Sequence, residues 1–359
     1  MDSVLTLTIL YYSCLNSNAF VILYHNQKWV TISLGGFSMI RVGIDLGCNH
    51  IRLVSHEEGL VFDEPSMVAF DKKGHVLAIG NEARDMKELM NDDIRIVSPL
   101  LTNNIDFDAL HALIDQLCYD YHVFRMLKKT ILLFSYPTNL SNELCEELKK
   151  HLLEFGASRV YFDQEIWIAA IGAKLDLFLP VASCVMNIGS SNCDIALFAS
   201  GIMQKKDECK ISGIHVNMQI KNWLSLQYGL DVTEDMIEMI KCGIGQTIKQ
   251  ESPKTMIIQG INRANGQLCS LELNENQLVD VLYPLCQQWA HWIMSFIDSL
   301  SNEQKEDVYM RGIVACGGTM LLKGLEKNLK AMLPCPIYVT DDPLNTVSQG
   351  LEILLSKME

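Results

Sequence analysis

The chain is short of positive charge, of paired cysteines and of long apolar runs. Lys and Arg number 29 against 43 Asp and Glu, a net charge of -14. That balance argues against a nucleic-acid partner, because phosphate-backbone binding needs clustered cations. The 12 cysteines stand singly from Cys14 to Cys335 with no C-x-x-C pair. This excludes a disulfide framework and a cysteine zinc site, and reduced thiols in a cytosol are expected. Cys184, Cys193 and Cys316 sit in apolar runs, where Cys acts as a small hydrophobe. No low-complexity linker interrupts the chain. At 359 residues, 49% hydrophobic and 20% charged, it has the composition of a globular protein with two domains.

Residues 1–38 carry only Asp2 and Lys28 as formal charges and hold no lasting period. Met1-Asp2-Ser3 has the wrong sign to start a signal peptide. Ser13 to Asn18 breaks up the ~20 apolar residues a membrane span needs. Gly35-Gly36-Phe37-Ser38 back-translates to a stretch that admits GGAGG shortly before the Met39 codon, as a translated ribosome-binding site would. The expectation is a native start at Met39, with 1–38 outside the fold; amino-terminal sequencing that finds Met1 contradicts it.

Ile40 to Ser55 reads as an apolar strand carrying one acid, Asp45, a turn through Gly47-Cys48-Asn49-His50, and a second strand. Ser183 to Ser200 repeats the plan, with Asn187-Ile188-Gly189 followed by Ser190-Ser191-Asn192-Cys193. Duplicated hairpins with small residues at their tips suit backbone amides that approach a polyphosphate, with the acid holding the waters of Mg²⁺. Two ordinary hairpins of a mixed sheet are the alternative.

Further along, Val61 to Phe70 reads as one strand entered through Pro65. Helices are expected over Asp106–Tyr119, Ser141–Phe155 and Glu165–Leu175, with a strand at Ile131–Phe134. Gly213–Tyr228, Glu234–Cys242, Asn276–Leu300 and Met320–Met332 also read as helices. Such strand–helix alternation implies an α/β sheet covered by helices.

The order of motifs resembles the actin, Hsp70 and sugar-kinase superfamily, and within it the MreB-like bacterial actins. Gly43-Ile44-Asp45-Leu46-Gly47 looks like its first phosphate loop. Asp63-Glu64-Pro65-Ser66 and Val76 to Gly80 are similar to the family's N-E-P-S and V-L-A-V-G. Ile168 to Ala173, Arg311 to Val314 with Gly317-Gly318, Leu321 to Leu325 and Asp342-Pro343-Leu344 extend the likeness from Met39 to the C-terminus. The resemblance implies an actin-like ATPase fold. It has two ribonuclease-H-like lobes, 39–182 and 183–359, around ATP and Mg²⁺. Small subdomains are expected at about 69–103 and 218–281, with the last helix returning to the first lobe.

Carried over position by position, Asp45 is the metal-water acid and Asn187 its counterpart. Gly47, Cys48, Asn49 and His50, with Gly189, Ser190, Ser191 and Asn192, form the phosphate loops. Glu165 matches the carboxylate that orients the attacking water. Glu238 and Lys241 match the nucleoside contact, and Gly317, Gly318 and Thr319 the adenine loop. Singly, each has a plainer reading: a helix-surface pair, a carboxylate at a helix start, a tight turn.

Several positions depart from the family. Asn187, Ser190 and Ser191 stand in a loop that reads D-I-G-G-G-T-T elsewhere, Cys48 replaces a hydroxyl, and Thr319 a glycine. Gln164 and Ile166 replace an acid and a proline. At ~4 Å and an effective dielectric of about 20, the charge missing at Asn187 is worth up to ~4 kcal/mol. Nucleotide binding with weak hydrolysis is therefore expected.

The resemblance also implies homopolymer filaments, assembly with MreB paralogues and cell-wall synthesis machinery, and a role in rod shape. It places the protein in the cytoplasm, peripheral on the inner membrane face, through an apolar loop here read at Val123-Phe124 beside Arg125, Lys128 and Lys129. A buried loop with a basic edge is the alternative there. The rival function is a non-hydrolysing paralogue that copolymerises as a scaffold. For a sugar kinase the chain from Met39 is expected to leave little room for the sugar-binding insertions, and an Hsp70-like chaperone would need a peptide-binding domain beyond Glu359.

Overall fold

The structure, a computed structural model, describes residues 39–87, 93–101, 104–124, 128–138 and 140–358, with the backbone of four short strands before Met39. The chain forms two compact units. One comprises 1–180, 199–202 and 345–359, the other 181–198 and 203–344.

In the first unit a six-stranded sheet runs in the order Leu5–Thr6, Arg159–Gln164, Lys129–Tyr136, Met39–Leu46, His50–Ser55, Gly59–Pro65. Met39–Leu46 is parallel to Lys129–Tyr136 and antiparallel to His50–Ser55. It is covered on both faces, which its continuous apolar burial reflects. Val42, Ile44 and Leu46 join Leu110, Leu113 and Leu117 of the helix Phe107–Asp120 in one core. On the other face Gly43 meets the C-terminal helix Thr346–Lys357, where an added Cβ would lie 3.1 Å from Leu351 Cβ, a tight contact. That helix also crosses Glu165–Gly172 closely, since a Cβ on Gly172 would lie 1.8 Å from the Thr346 carbonyl oxygen.

In the second unit a five-stranded sheet runs Ile202–Glu208, Cys193–Ala199, Ser183–Ile188, Ile313–Cys316, Ile337–Val339. This is the first unit's order from Gly59–Pro65 to Arg159–Gln164, strand for strand. The two hairpins are therefore equivalent parts of a duplicated sheet.

Three expectations need correction. Val61 to Phe70 is two strands in two sheets, Gly59–Pro65 and Val68–Phe70, because Ser66 turns its polar groups onto the first loop. The helix expected from Met320 begins at Leu325, since Gly324 at φ +84 ends the preceding turn in the left-handed region. Val123 is only 1% exposed, packed in the first unit's core, and its carbonyl accepts from Thr130 Oγ1 at 2.9 Å. Its neighbour Phe124 is 40% exposed. Arg125 lies outside the described residues.

Candidate functional site

The first loop is held from behind by Ser66. Its hydroxyl donates to the Gly47 carbonyl at 2.6 Å and its N–H to the Asn49 carbonyl at 2.9 Å. In a planar trans peptide the C=O and the following N–H point in opposite directions. The Cys48 and His50 amides are thus aimed away from Ser66, toward the outer side of the turn. Gly47 is required here, because a Cβ would lie 2.4 Å from the His50 carbonyl oxygen.

The neighbouring residues of the same segment brace the surroundings. Glu64 accepts from the Asn81 N–H at 2.8 Å, at the start of the helix Gly80–Met86. Asp63 takes His50 Nδ1 at 2.8 Å and lies 3.1 Å from Arg52 Nε. Burial alone would push the Asp63 carboxyl up, but His50 and Arg52 more than offset it, and its pKa lies below the ordinary value.

Asp45 stands in a polar row that crosses the sheet in register: Asp163, Ser135, Asp45, Arg52, Asp63. Arg52 Nη1 lies 3.3 Å from Asp45 Oδ2, and both side chains are buried. Burial raises the Asp45 pKa, while the Arg52 charge and hydrogen bonds from Ser135 and Arg52 pull the other way. Asp163 is an acid that sequence reading missed. Its Oδ2 is buried without a hydrogen-bond partner, and burial pushes its pKa up to about 8 against a 2.8 Å hydrogen bond from the Gln164 N–H. Glu165 opens the helix Glu165–Gly172, whose start is fixed by Thr138 Oγ1 accepting from the Ile166 N–H at 3.1 Å.

The second loop is built the same way with other residues. The Gly189 carbonyl accepts from the Gly213 N–H at 3.0 Å and from Thr319 Oγ1 at 2.9 Å. The Ser190 carbonyl accepts from the Ile214 N–H at 2.8 Å, and the Gly189 N–H donates to the Asn192 carbonyl at 2.8 Å. By the same peptide geometry the Ser190 and Ser191 amides are directed outward. Thr319, at the place of a family glycine, is thus tied to the second loop. Gly317 (φ +91) backs onto the loop so tightly that a Cβ would lie 2.4 Å from the Ile188 carbonyl oxygen, and Gly318 lies against Leu344. Asn187 is buried beside Cys316, with the buried Asp194 opposite it in register.

Glu238 and Lys241 form an ion pair of 2.7 Å on the helix Glu234–Ile244. Asn217, which sequence reading missed, donates to the same Glu238 oxygen at 2.8 Å. Burial acts to raise the Glu238 pKa, but Lys241 and these donors leave it lowered. A separate opening of about 670 Å³ in this unit is lined by Gln246, Lys323 and Asp341 among others, and by none of the predicted nucleotide contacts.

At either loop taken by itself, outward-directed amides are the kind of group that takes a phosphate oxygen. For Mg²⁺ the donors are of the right kind, a carboxylate at Asp45 and an amide oxygen at Asn187. Among the described residues no group of three or more His, Cys, Asp or Glu could hold a metal alone.

The pattern of the MreB/Mbl protein family matches residues 39–359. The cell shape-determining protein Mbl of Bacillus subtilis is 28% identical over 320 residues, covering 89% of this chain and 96% of that one. Among solved structures, MreB5 of Spiroplasma citri bound to ADP superposes with a TM-score of 0.82 at 26% identity, covering 88% and 96%. The MamK double helical filament (TM-score 0.76, 16% identity, covering 90% and 100%) shares the fold. The duplicated sheets and paired loops are those of the actin-like fold, and this chain belongs to the MreB/Mbl family of cell shape-determining proteins.

Proposed function

We propose that this protein binds ATP at its two braced loops, assembles into filaments and organises cell-wall synthesis, with weak hydrolysis. The observation that carries the reading is the shared construction of the loops. In each, two carbonyls are bound from behind, by Ser66 or by Gly213, Ile214 and Thr319, so that the amides following them face away: Cys48 and His50 in the first loop, Ser190 and Ser191 in the second. The ADP bound by the Spiroplasma relative and the filament form of MamK support nucleotide binding and self-association.

Mg²⁺ would be held through water at Asp45 and Asn187 and would supply charge to the phosphates. Glu165 would orient the attacking water, and Glu238 with Lys241 the nucleoside. Association with the inner face of the membrane rests on Phe124 and the exposed Lys128 and Lys129. Among the described residues no helix is long and apolar enough to cross a membrane. The neutral Asn187, and the guanidinium already on Asp45, favour a second reading: a non-hydrolysing scaffold that copolymerises with an active paralogue.

The test is equilibrium binding of a fluorescent ATP analogue by the full chain, with negative-stain microscopy in the same buffers. Binding with filaments supports the proposal. Binding with filaments only when an active MreB is added selects the copolymer reading, and no binding overturns the nucleotide claim.

A further inference from the structure

Two thiols stand together behind the second loop. Cys193 opens the strand Cys193–Ala199 that leaves the loop, and it is buried. Cys209 follows the strand Ile202–Glu208 and is half-buried. The Cys209 N–H donates to the Cys193 carbonyl at 2.8 Å. With ordinary bond lengths that contact holds the two Cα atoms within about 6.7 Å of each other. Disulfides span about 4.4–6.8 Å between Cα atoms, so the backbone separation here is within a disulfide's reach.

The sulfurs are also chemically matched. The Cys193 thiol hydrogen-bonds Cys209, and the Ile211 N–H donates to Cys209 Sγ at 3.4 Å. The thiol hydrogen bond from Cys193 lowers the Cys209 pKa; burial opposes it and the Ile211 amide reinforces it. Burial, then the hydrogen bond to Cys209, places the Cys193 pKa well above its ordinary value. Burial pushes the Cys118, Cys184, Cys286 and Cys335 thiols up instead. Exposed Cys242 is shifted up by burial of its sulfur and by Glu238. A half-buried thiol with a lowered pKa beside a buried thiol with a raised one is the arrangement that oxidants select.

We infer that Cys193 and Cys209 form a modification site, a dithiol that a hydroperoxide closes to a disulfide. The Cys209 thiolate attacks one peroxide oxygen and the O–O bond breaks. Cys209 becomes a sulfenic acid, and the leaving hydroxide takes up a proton as water. The Cys193 sulfur then displaces hydroxide from the sulfenic acid and gives up its proton, which yields a second water. Two thiols lose two electrons, and hydrogen peroxide becomes two waters. The disulfide pins the exit of the second loop to the segment whose Gly213 and Ile214 amides already hold that loop's carbonyls.

The experiment treats the reduced full chain with stepwise hydrogen peroxide, followed by thiol titration and peptide mapping. The expected result is loss of two of the 12 thiols first, recovered with dithiothreitol, and a cross-linked peptide pair holding Cys193 and Cys209. In Cys193→Ala the sulfenic acid on Cys209 is trapped by dimedone; in Cys209→Ser the early loss of two thiols disappears. Earlier reaction of Cys242 or any other thiol, or an unchanged early loss in Cys209→Ser, overturns the assignment.

Discussion

The Ser66 hydroxyl is bound to the Gly47 carbonyl at 2.6 Å, across 19 residues of sequence. This contact gives Asp63-Glu64-Pro65-Ser66 a physical role. Asp63 pairs with His50 and Arg52, Glu64 bonds the Asn81 amide, and Ser66 sets the carbonyls of the first loop. Ser66→Ala removes one buried hydrogen bond and costs about 1–2 kcal/mol of stability in urea unfolding. It also weakens nucleotide binding by up to about tenfold, because the loop amides are no longer fixed. Unchanged affinity with lowered stability would separate the brace from the ligand.

Gly317 tests the second loop. At φ +91, with the Ile188 carbonyl oxygen 2.4 Å from an added Cβ, Gly317→Ala meets both backbone strain and a clash with main chain. A destabilisation of about 3 kcal/mol or more is expected, read as a lower urea midpoint with unchanged slope.

Much of this was legible in the sequence. The hairpins at Asp45 and Asn187 are marked by apolar strands broken at small residues, and their equivalence follows from the strand order. The braces were not legible. Ser66, Thr319 and Asn217 act on groups far away in sequence, and a hydroxyl or an amide carries no signal of what it will bond. Asp163 escaped notice because an acid in a short strand looks like a solvated edge. Val123 misled for the opposite reason: a branched apolar residue in a loop reads equally as a core side chain or a membrane contact.

Asp163 makes stability depend on pH. Its folded-state pKa of about 8 lies above the ordinary 3.8, so the native chain keeps a proton that the unfolded chain releases between these values. Stability contributed by this group is full below about pH 4, falls as pH rises, and is gone above about 8. Asp163→Asn mimics the protonated acid. The variant should match the parent near or below pH 4 and exceed it by a growing margin up to about pH 8, as followed by urea midpoints across that range. Parallel pH profiles would refute the assignment.

Arg52 is held between Asp45 and Asp63 and is nearly buried. Arg52→Met leaves the buried Asp45 carboxylate without its cation. Breaking one side of such a pair costs on the order of 3 kcal/mol, which urea unfolding at neutral pH should register. The double variant Arg52→Met with Asp45→Asn should recover a large part of that loss.

The most direct test of the central claim is single-turnover ATP hydrolysis by the full chain and by Asn187→Asp. The account predicts that both bind ATP, that the parent hydrolyses it slowly, and that the restored carboxylate speeds hydrolysis by about tenfold or more. Equal rates in the two proteins, or fast hydrolysis by the parent, would contradict it.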